Sequence, residues 1–295
     1  MLVCTLVLCL VWSSTWLVIA QGLRDLPPLT SGAARFLLAA LVMALVTPVL
    51  APREGGRHPT ARMVWTQGGL NFAVSYGIVY WAETRLASGL VSILWATFPI
   101  MMAAVAHWML PAERLRPRQW RGVLVAFVGV AWLFATDVRD TGESAVFAGA
   151  VLLLSPLASA VGTTYIKARG DGYSSVRLNR NAMLVGAVML TGLAFALEDP
   201  LQVVWPTRAI LTVVYLATVG TVLTFTLYFW ALRYAPAYQL SLIAYVTPAL
   251  AVAGGATFAD ETVDLHTVGG LALVLLGVGG VLRKSPAELQ REPTA

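Results

Sequence analysis

The chain has 295 residues, 58% of them hydrophobic and 12% charged, with a net charge of +5 and a pI near 9.5. Soluble domains average roughly 45–50% apolar and about 25% charged, so the composition excludes an ordinary soluble domain and points to a bilayer. Because the basic residues lie in short gaps between apolar runs, the positive balance is not evidence for nucleic acid, and no nucleic-acid partner is expected.

A bilayer core about 30 Å thick needs roughly 20 mostly apolar residues per spanning helix. Ten such runs follow one another near 2–21, 31–51, 63–81, 87–110, 119–136, 145–166, 181–197, 209–230, 237–258 and 266–282. The first run lacks the basic flank and cleavage site of a signal peptide, and a retained helix is expected there. Its cysteines, Cys4 and Cys9, are more than a helical turn apart and read as small core residues rather than a disulfide or metal pair. Trp16 closes the stretch SSTW (13–16) on the same run. On the second run Arg35 sits roughly one turn from the outer end, where it snorkels to the interface, pairs with Asp25, or holds the carboxylate of a substrate.

The third run carries Gln67, Asn71 and Ser75, four apart and therefore on one helix face. In a bilayer such a stripe lines a cavity or forms a helix–helix seam. Trp95 in the fourth run and Tyr245 in the ninth, with Trp16, are candidate aromatic lining. Pro99 and Pro248 stand near the middle of those two runs, each removing a backbone hydrogen bond, and are candidate hinges. Glycines 122 and 129 in the fifth run, and 269, 270, 277 and 280 in the tenth, are read as close-packing positions, with a homodimer interface left open.

Lys and Arg concentrate in the second, fourth, sixth and eighth gaps and the tail, fifteen against four in the other gaps, which places both termini in the cytoplasm. All fifteen Asp and Glu residues fall in gaps or tails of this assignment, which disfavours carboxylate-based ion coupling.

The outline recurs at an offset of 148 residues. Glu113 and Gly122 return as Glu261 and Gly270, and Tyr80, Arg85 and Ala87 return as Tyr228, Arg233 and Ala235. Five runs per copy is an odd number, so the second copy enters the membrane from the opposite side. Inverted repeats of this kind are the sequence mark of secondary transporters with a site near the midplane.

The stretches SSTWLVIAQGLRDLPPLTSGAARFLLAALV (13–42), AERLRPRQWRGVLVAFVGVAWLF (112–134) and ALRYAPAYQLSLIAYVTPALAVAGGATFADETVDLHTVGGLALVLLGVGGVL (231–282) resemble the EamA-type carriers of the drug/metabolite transporter superfamily. The resemblance spans the chain. It implies an all-α polytopic protein of ten transmembrane helices in two five-helix repeats, 1–136 and 145–282, with a cytoplasmic tail at 283–295. It further implies that helices 1–4 and 6–9 surround the cavity while 5 and 10 pack outside.

No HExxH, G-x-S-x-G or phosphate loop is present, and the three histidines are scattered. An enzyme, a cofactor and a metal site are therefore not expected. The expected function is secondary transport of a small metabolite across the cell (inner or plasma) membrane, and the resemblance implies an exporter of amino acids or related compounds. Its alternative is a receptor or scaffold without flux. The expected binding residues are Trp16, Arg35, Gln67, Asn71, Ser75, Trp95 and Tyr245.

Overall fold

A computed structural model describes residues 2–86, 88–133, 143–247 and 265–282. Every named element among them is helical. The helices are α1 (Leu2–Gly22), α2 (Pro28–Glu54), α3 (Ala61–Thr66), α4 (Ser75–Glu83), α5 (Ser88–Trp95), α6 (Phe98–Met109) and α7 (Pro117–Leu133). They continue as α8 (Glu143–Leu152), α9 (Leu154–Arg169), α10 (Ser175–Leu197), α11 (Thr207–Ala217), α12 (Thr224–Ala231), α13 (Ala237–Ser241) and α14 (Leu265–Leu282). Two wider π segments, Gln67–Val74 and Thr218–Leu223, join α3 to α4 and α11 to α12 without a break.

Five stretches are long and apolar enough to cross a membrane, namely Leu2–Gly22, Pro28–Glu54, Ala145–Arg169, Ser175–Leu197 and Thr207–Ala231. Their surfaces agree with that setting. On α1 the buried residues are Leu8, Cys9, Thr15, Ile19 and Gly22, while Leu2, Val3, Leu6, Leu10 and Leu17 face outward. Such a face is stable in hydrocarbon, where backbone groups must be satisfied within the helix. The chain is a multi-pass membrane protein.

Helix starts follow local chemistry. Pro28 opens α2 with a ring whose fixed φ suits the first turn, and Thr60 and Ser174 cap α3 and α10 by accepting from the amides of Met63 and Arg177. The α10 start at Ser175 lies earlier than the apolar run at 181, so Arg177 and Arg180 belong to the helix rather than to a gap.

Helices α2 and α10 pack together and cap each other at both ends. Glu54, the last residue of α2, accepts from the amides of Ser175 and Val176 at 3.1 and 3.2 Å and from the Ser174 hydroxyl at 2.6 Å. Glu198, just past α10, accepts from the amides of Leu29 and Thr30 at 2.8 and 2.7 Å and from the Thr30 hydroxyl at 2.6 Å. A helix leaves its first amides without partners, and an anion there meets both the N–H groups and the positive end of the dipole.

The other intimate pair is α7 with α14. A Cβ placed at Gly122 would stand 2.7 Å from the Gly277 carbonyl, and one at Gly129 would stand 2.6 Å from the Val274 nitrogen. Helix α7 therefore meets α14 backbone to backbone, and these glycines are used within the chain.

Contacts between gaps sort the molecule into two ends. At one, Arg57 exchanges backbone hydrogen bonds with Gly172 and Ser174, Arg233 pairs with Glu54 at 3.0 Å, and Glu113 accepts from the Ala237 amide at 2.6 Å beside Lys167. These join the second, fourth, sixth and eighth gaps. At the other end Arg208 grips Asp25 through two bonds of 2.6 and 2.7 Å, and Glu198 reaches α2. Glu261 and Pro248 lie outside the described residues.

Candidate central cavity

A cavity of about 80 Å³ lies in the interior, bounded by α1, the first π segment with α4, the α5–α6 break, α9, α12 and the chain from α13 onward. No described residue of α2, α7, α10 or α14 lines it. Of the expected binding residues, Trp16, Asn71, Ser75 and Trp95 line this cavity, and Arg35, Gln67 and Tyr245 do not.

The polar stripe of the third run is both a lining and a seam. The Asn71 side-chain amide donates to the Gln67 Oε1 at 2.9 Å and its oxygen accepts from Thr163 at 3.3 Å. Ser75 is bonded to Ser155 at 2.8 Å and accepts from Ser159 at 3.0 Å, and Trp95 Nε1 donates to Ser155 at 3.0 Å. Gly162 makes room for this contact, since a Cβ there would stand 2.5 Å from the Asn71 nitrogen. Gln67 is fully buried, one turn below the cavity, and its Nε2 has no partner among the described residues.

Aromatic rings make up much of the remaining wall. Trp16 and Trp95 lie 6.0 Å apart by ring centroids, Trp95 lies 4.8 Å from Phe98, and Trp12 lies 5.4 Å from Tyr228. Tyr245 instead is fully buried in the cluster with Val123, Ala126 and Val274, facing α7 and α14. Tyr80 and Tyr228 hold repeat-related positions, yet only Tyr228 lines the cavity.

Arg35 is fully buried two turns into α2 and neither snorkels nor pairs with Asp25, which is held by Arg208. Its Nε donates to Thr221 at 2.7 Å, Nη2 donates to the Gly220 carbonyl at 3.1 Å, and Nη1 reaches the Tyr80 hydroxyl at 3.5 Å. The guanidinium thus fastens α2 to the second π segment, where the i→i+5 pattern alters the carbonyl spacing. Among the described lining residues it lies against Tyr76, whose ring is 4.6 Å from the guanidinium carbon.

Pro99 sits in the first turn of α6, directly after the two-residue interruption that separates α5 from α6. It therefore starts a second helix rather than bending a continuous one. A similar interruption falls at Leu242, between α13 and the helical turn at 243–247.

A larger cavity, of about 320 Å³, opens at the end where the basic gaps meet, lined by Met63, Lys167, Tyr173, Phe229 and Arg233 among others. The rings of Phe225, in the central cavity, and Phe229, in this vestibule, stack with centroids 6.2 Å apart. Both cations of the vestibule are neutralised, Lys167 by Glu113 at 3.6 Å and Arg233 by Glu54.

The profile of the EamA-like transporter family matches residues 1–135 and again 146–283. The chain belongs to the EamA-like transporter family. This EamA chain is 23% identical to the uncharacterized transporter YoaV of Bacillus subtilis, with 91% of this chain and 92% of that protein covered. It is 25% identical to the uncharacterized inner membrane transporter YedA of Escherichia coli, covering 86% and 81%. A solved crystal structure shares the fold with a TM-score of 0.80 over 95% of both chains, at 16% identity.

Two features of the EamA chain's interior lie beyond the expected residues. Ser155, Ser159 and Thr163 form on α9 the same four-residue spacing as Gln67, Asn71 and Ser75, and that spacing is visible in the sequence. Glu83 is the other, because its carboxylate oxygens are enclosed in the protein at the end of α4.

Proposed function

We propose that this EamA chain is a secondary transporter that exports a small amphipathic metabolite, an amino acid or a related compound, across the cell (inner) membrane. Its ten membrane-crossing segments form two inverted halves, 1–136 and 145–282, and alternating access arises as these rock about the central cavity. The observation that carries the reading is the cavity wall itself, which draws Trp16, Asn71, Ser75 and Trp95 from one half and Ser159, Thr163 and Phe225 from the other.

The wall combines tryptophan and phenylalanine rings with hydroxyl and amide groups, and no described lining residue is charged. It suits a solute that presents an apolar or aromatic body and a few hydrogen-bonding groups. The paired π segments and the reciprocal caps of α2 and α10 support the inverted repeat. The vestibule on the basic, cytoplasmic side supports outward transport, with the Phe225–Phe229 pair as the gate between the two cavities. Pro99, at the α5–α6 interruption, serves as a hinge, with Pro248 as the second hinge residue.

The test is flux in purified proteoliposomes against labelled amino acids, purines and organic cations. Saturable flux of one class that falls at least tenfold in Asn71→Ala and Trp95→Ala is expected. Folded protein that moves none of them would leave the receptor or scaffold reading in its place.

A further inference from the structure

Glu83 ends α4, and neither of its carboxylate oxygens, both shielded from solvent, has a hydrogen-bond partner among the described residues. Asp25, Glu54, Glu113 and Glu198 differ, since each accepts hydrogen bonds. An ionised carboxylate buried without donors costs several kcal/mol, and a group so placed is accommodated with a proton bound.

The surroundings supply one charge. From α2, Arg35 reaches the Tyr80 hydroxyl at 3.5 Å through Nη1, and Tyr80 stands one turn before Glu83 on the same helix. The α1, α8 and α11 residues clustered at this end of α4 include Ile19, Ala148, Leu152 and Leu216, while Tyr215 is engaged with Ser14 at 2.6 Å. Arg85 turns back to the Trp81 carbonyl at 3.0 Å. Arg35 in turn has no carboxylate within ion-pair distance among the described residues, its donors going to Thr221, Gly220 and Tyr80. One buried cation and one buried carboxyl, neither matched, therefore share the region around Tyr80.

We propose that Glu83 is a proton-binding site, and that the ion coupled to transport is the proton it carries. In the enclosed arrangement the carboxyl holds its proton. When the end of α4 opens to water, the O–H bond breaks, the proton leaves to bulk solvent on that face, and the anion left behind is balanced by Arg35. An Arg35 drawn toward Glu83 loosens its hold on Gly220 and Thr221 and shifts Tyr76, which lines the cavity. That links proton release to the solute site. The coupling rests on the transport reading and adds to it an exchange of protons for exported solute.

The test has two arms on the full chain in phosphatidylethanolamine–phosphatidylglycerol liposomes. The first is infrared difference spectroscopy between about pH 6 and pH 9, where ordinary carboxylates are already ionised. Wild type should show a protonated-carboxyl band that titrates in this window, Glu83→Gln should lack it, and Glu83→Asp should restore it at a shifted frequency. A band of equal size in Glu83→Gln, or one that does not shift in Glu83→Asp, overturns the site. In the second arm, the same solute panel is followed with and without an imposed pH gradient. The gradient should raise wild-type flux several-fold and leave the flux ratio near one in Glu83→Gln; a variant ratio as large as that of wild type, or a wild-type flux indifferent to the gradient, overturns the coupling. If no solute moves in wild type, the transport reading fails, and the infrared band by itself decides the proton site.

Discussion

Replacing Gly277 by alanine tests the seam that holds α7 to α14. A Cβ there would stand 2.3 Å from the Ala126 nitrogen and 2.6 Å from both the Ala126 Cβ and the Gly122 carbonyl oxygen. Ordinary contact begins near 3.4 Å, so the helices must part by about 1 Å, and none of the three atoms belongs to a side chain able to rotate away. Overfilling a close-packed contact costs about 1–3 kcal/mol, and a gap of this size forfeits up to half of the dispersion between facing atoms. Gly279, two residues on, has nothing within 4 Å of its would-be Cβ. Alanine there gains helix propensity worth about 0.5–1 kcal/mol. The two variants should therefore fall on opposite sides of wild type, separated by about 2–4 kcal/mol. Thermal unfolding in detergent, followed by tryptophan fluorescence, reads this directly, because Trp132 on α7 donates to the His266 carbonyl on α14 at 3.1 Å. Equal melting temperatures for the two alanine variants would refute the backbone-to-backbone seam.

Glu198→Ala removes three hydrogen bonds from the start of α2 and should lower stability by about 2 kcal/mol. Glu198→Gln should lose about half as much, and denaturation in mild detergent compares the pair. The hydrogen bonds from Arg208 hold the Asp25 carboxyl below the usual carboxylate range. A depressed folded-state value contributes stability above the unfolded value, near pH 4, that is lost as the pH falls through the folded value. Melting curves of wild type and Asp25→Asn should therefore differ at neutral pH and converge in acid; parallel curves down to the lowest pH would remove the ion pair from the account. Arg35→Lys keeps the charge but not the planar fork that spans Thr221, Gly220 and Tyr80. It should slow flux at least tenfold at equal membrane abundance, and wild-type rates would show that the charge alone suffices.

Much of the architecture was legible because hydrocarbon imposes a length and a composition on every crossing segment. The runs at 2–21, 209–230 and 266–282 agree with Leu2–Gly22, Thr207–Ala231 and Leu265–Leu282 to within two residues. The π segments were not legible, since a change from i→i+4 to i→i+5 bonding leaves the apolar pattern of Gln67–Val74 almost untouched. Arg35 was placed one turn from the outer end, within reach of the interface, of Asp25 or of a substrate, because α2 was started three residues late. The start at Pro28 places it about 10 Å along the helix, where its side chain is fully buried. Asn71, Ser75, Trp16 and Trp95 could be named because small polar or aromatic groups at helical spacing stand out in apolar runs. Tyr245 has the same signature, but its helix turns that side toward α7 and α14. Glu83 escaped notice because it lies just past the apolar run at 63–81. Only the tertiary fold shows that its side chain folds back into the protein.

The mutual capping of α2 and α10 also bears on how the gene can be divided. Each helix begins with amides whose acceptors are supplied by the far end of the other, one in each half of the chain. A half produced alone would leave a helix start without its acceptors, whereas two halves made as separate chains would complete each other on meeting. Splitting the protein between Leu133 and Glu143 should therefore yield fragments that are degraded singly and accumulate together as an obligate pair.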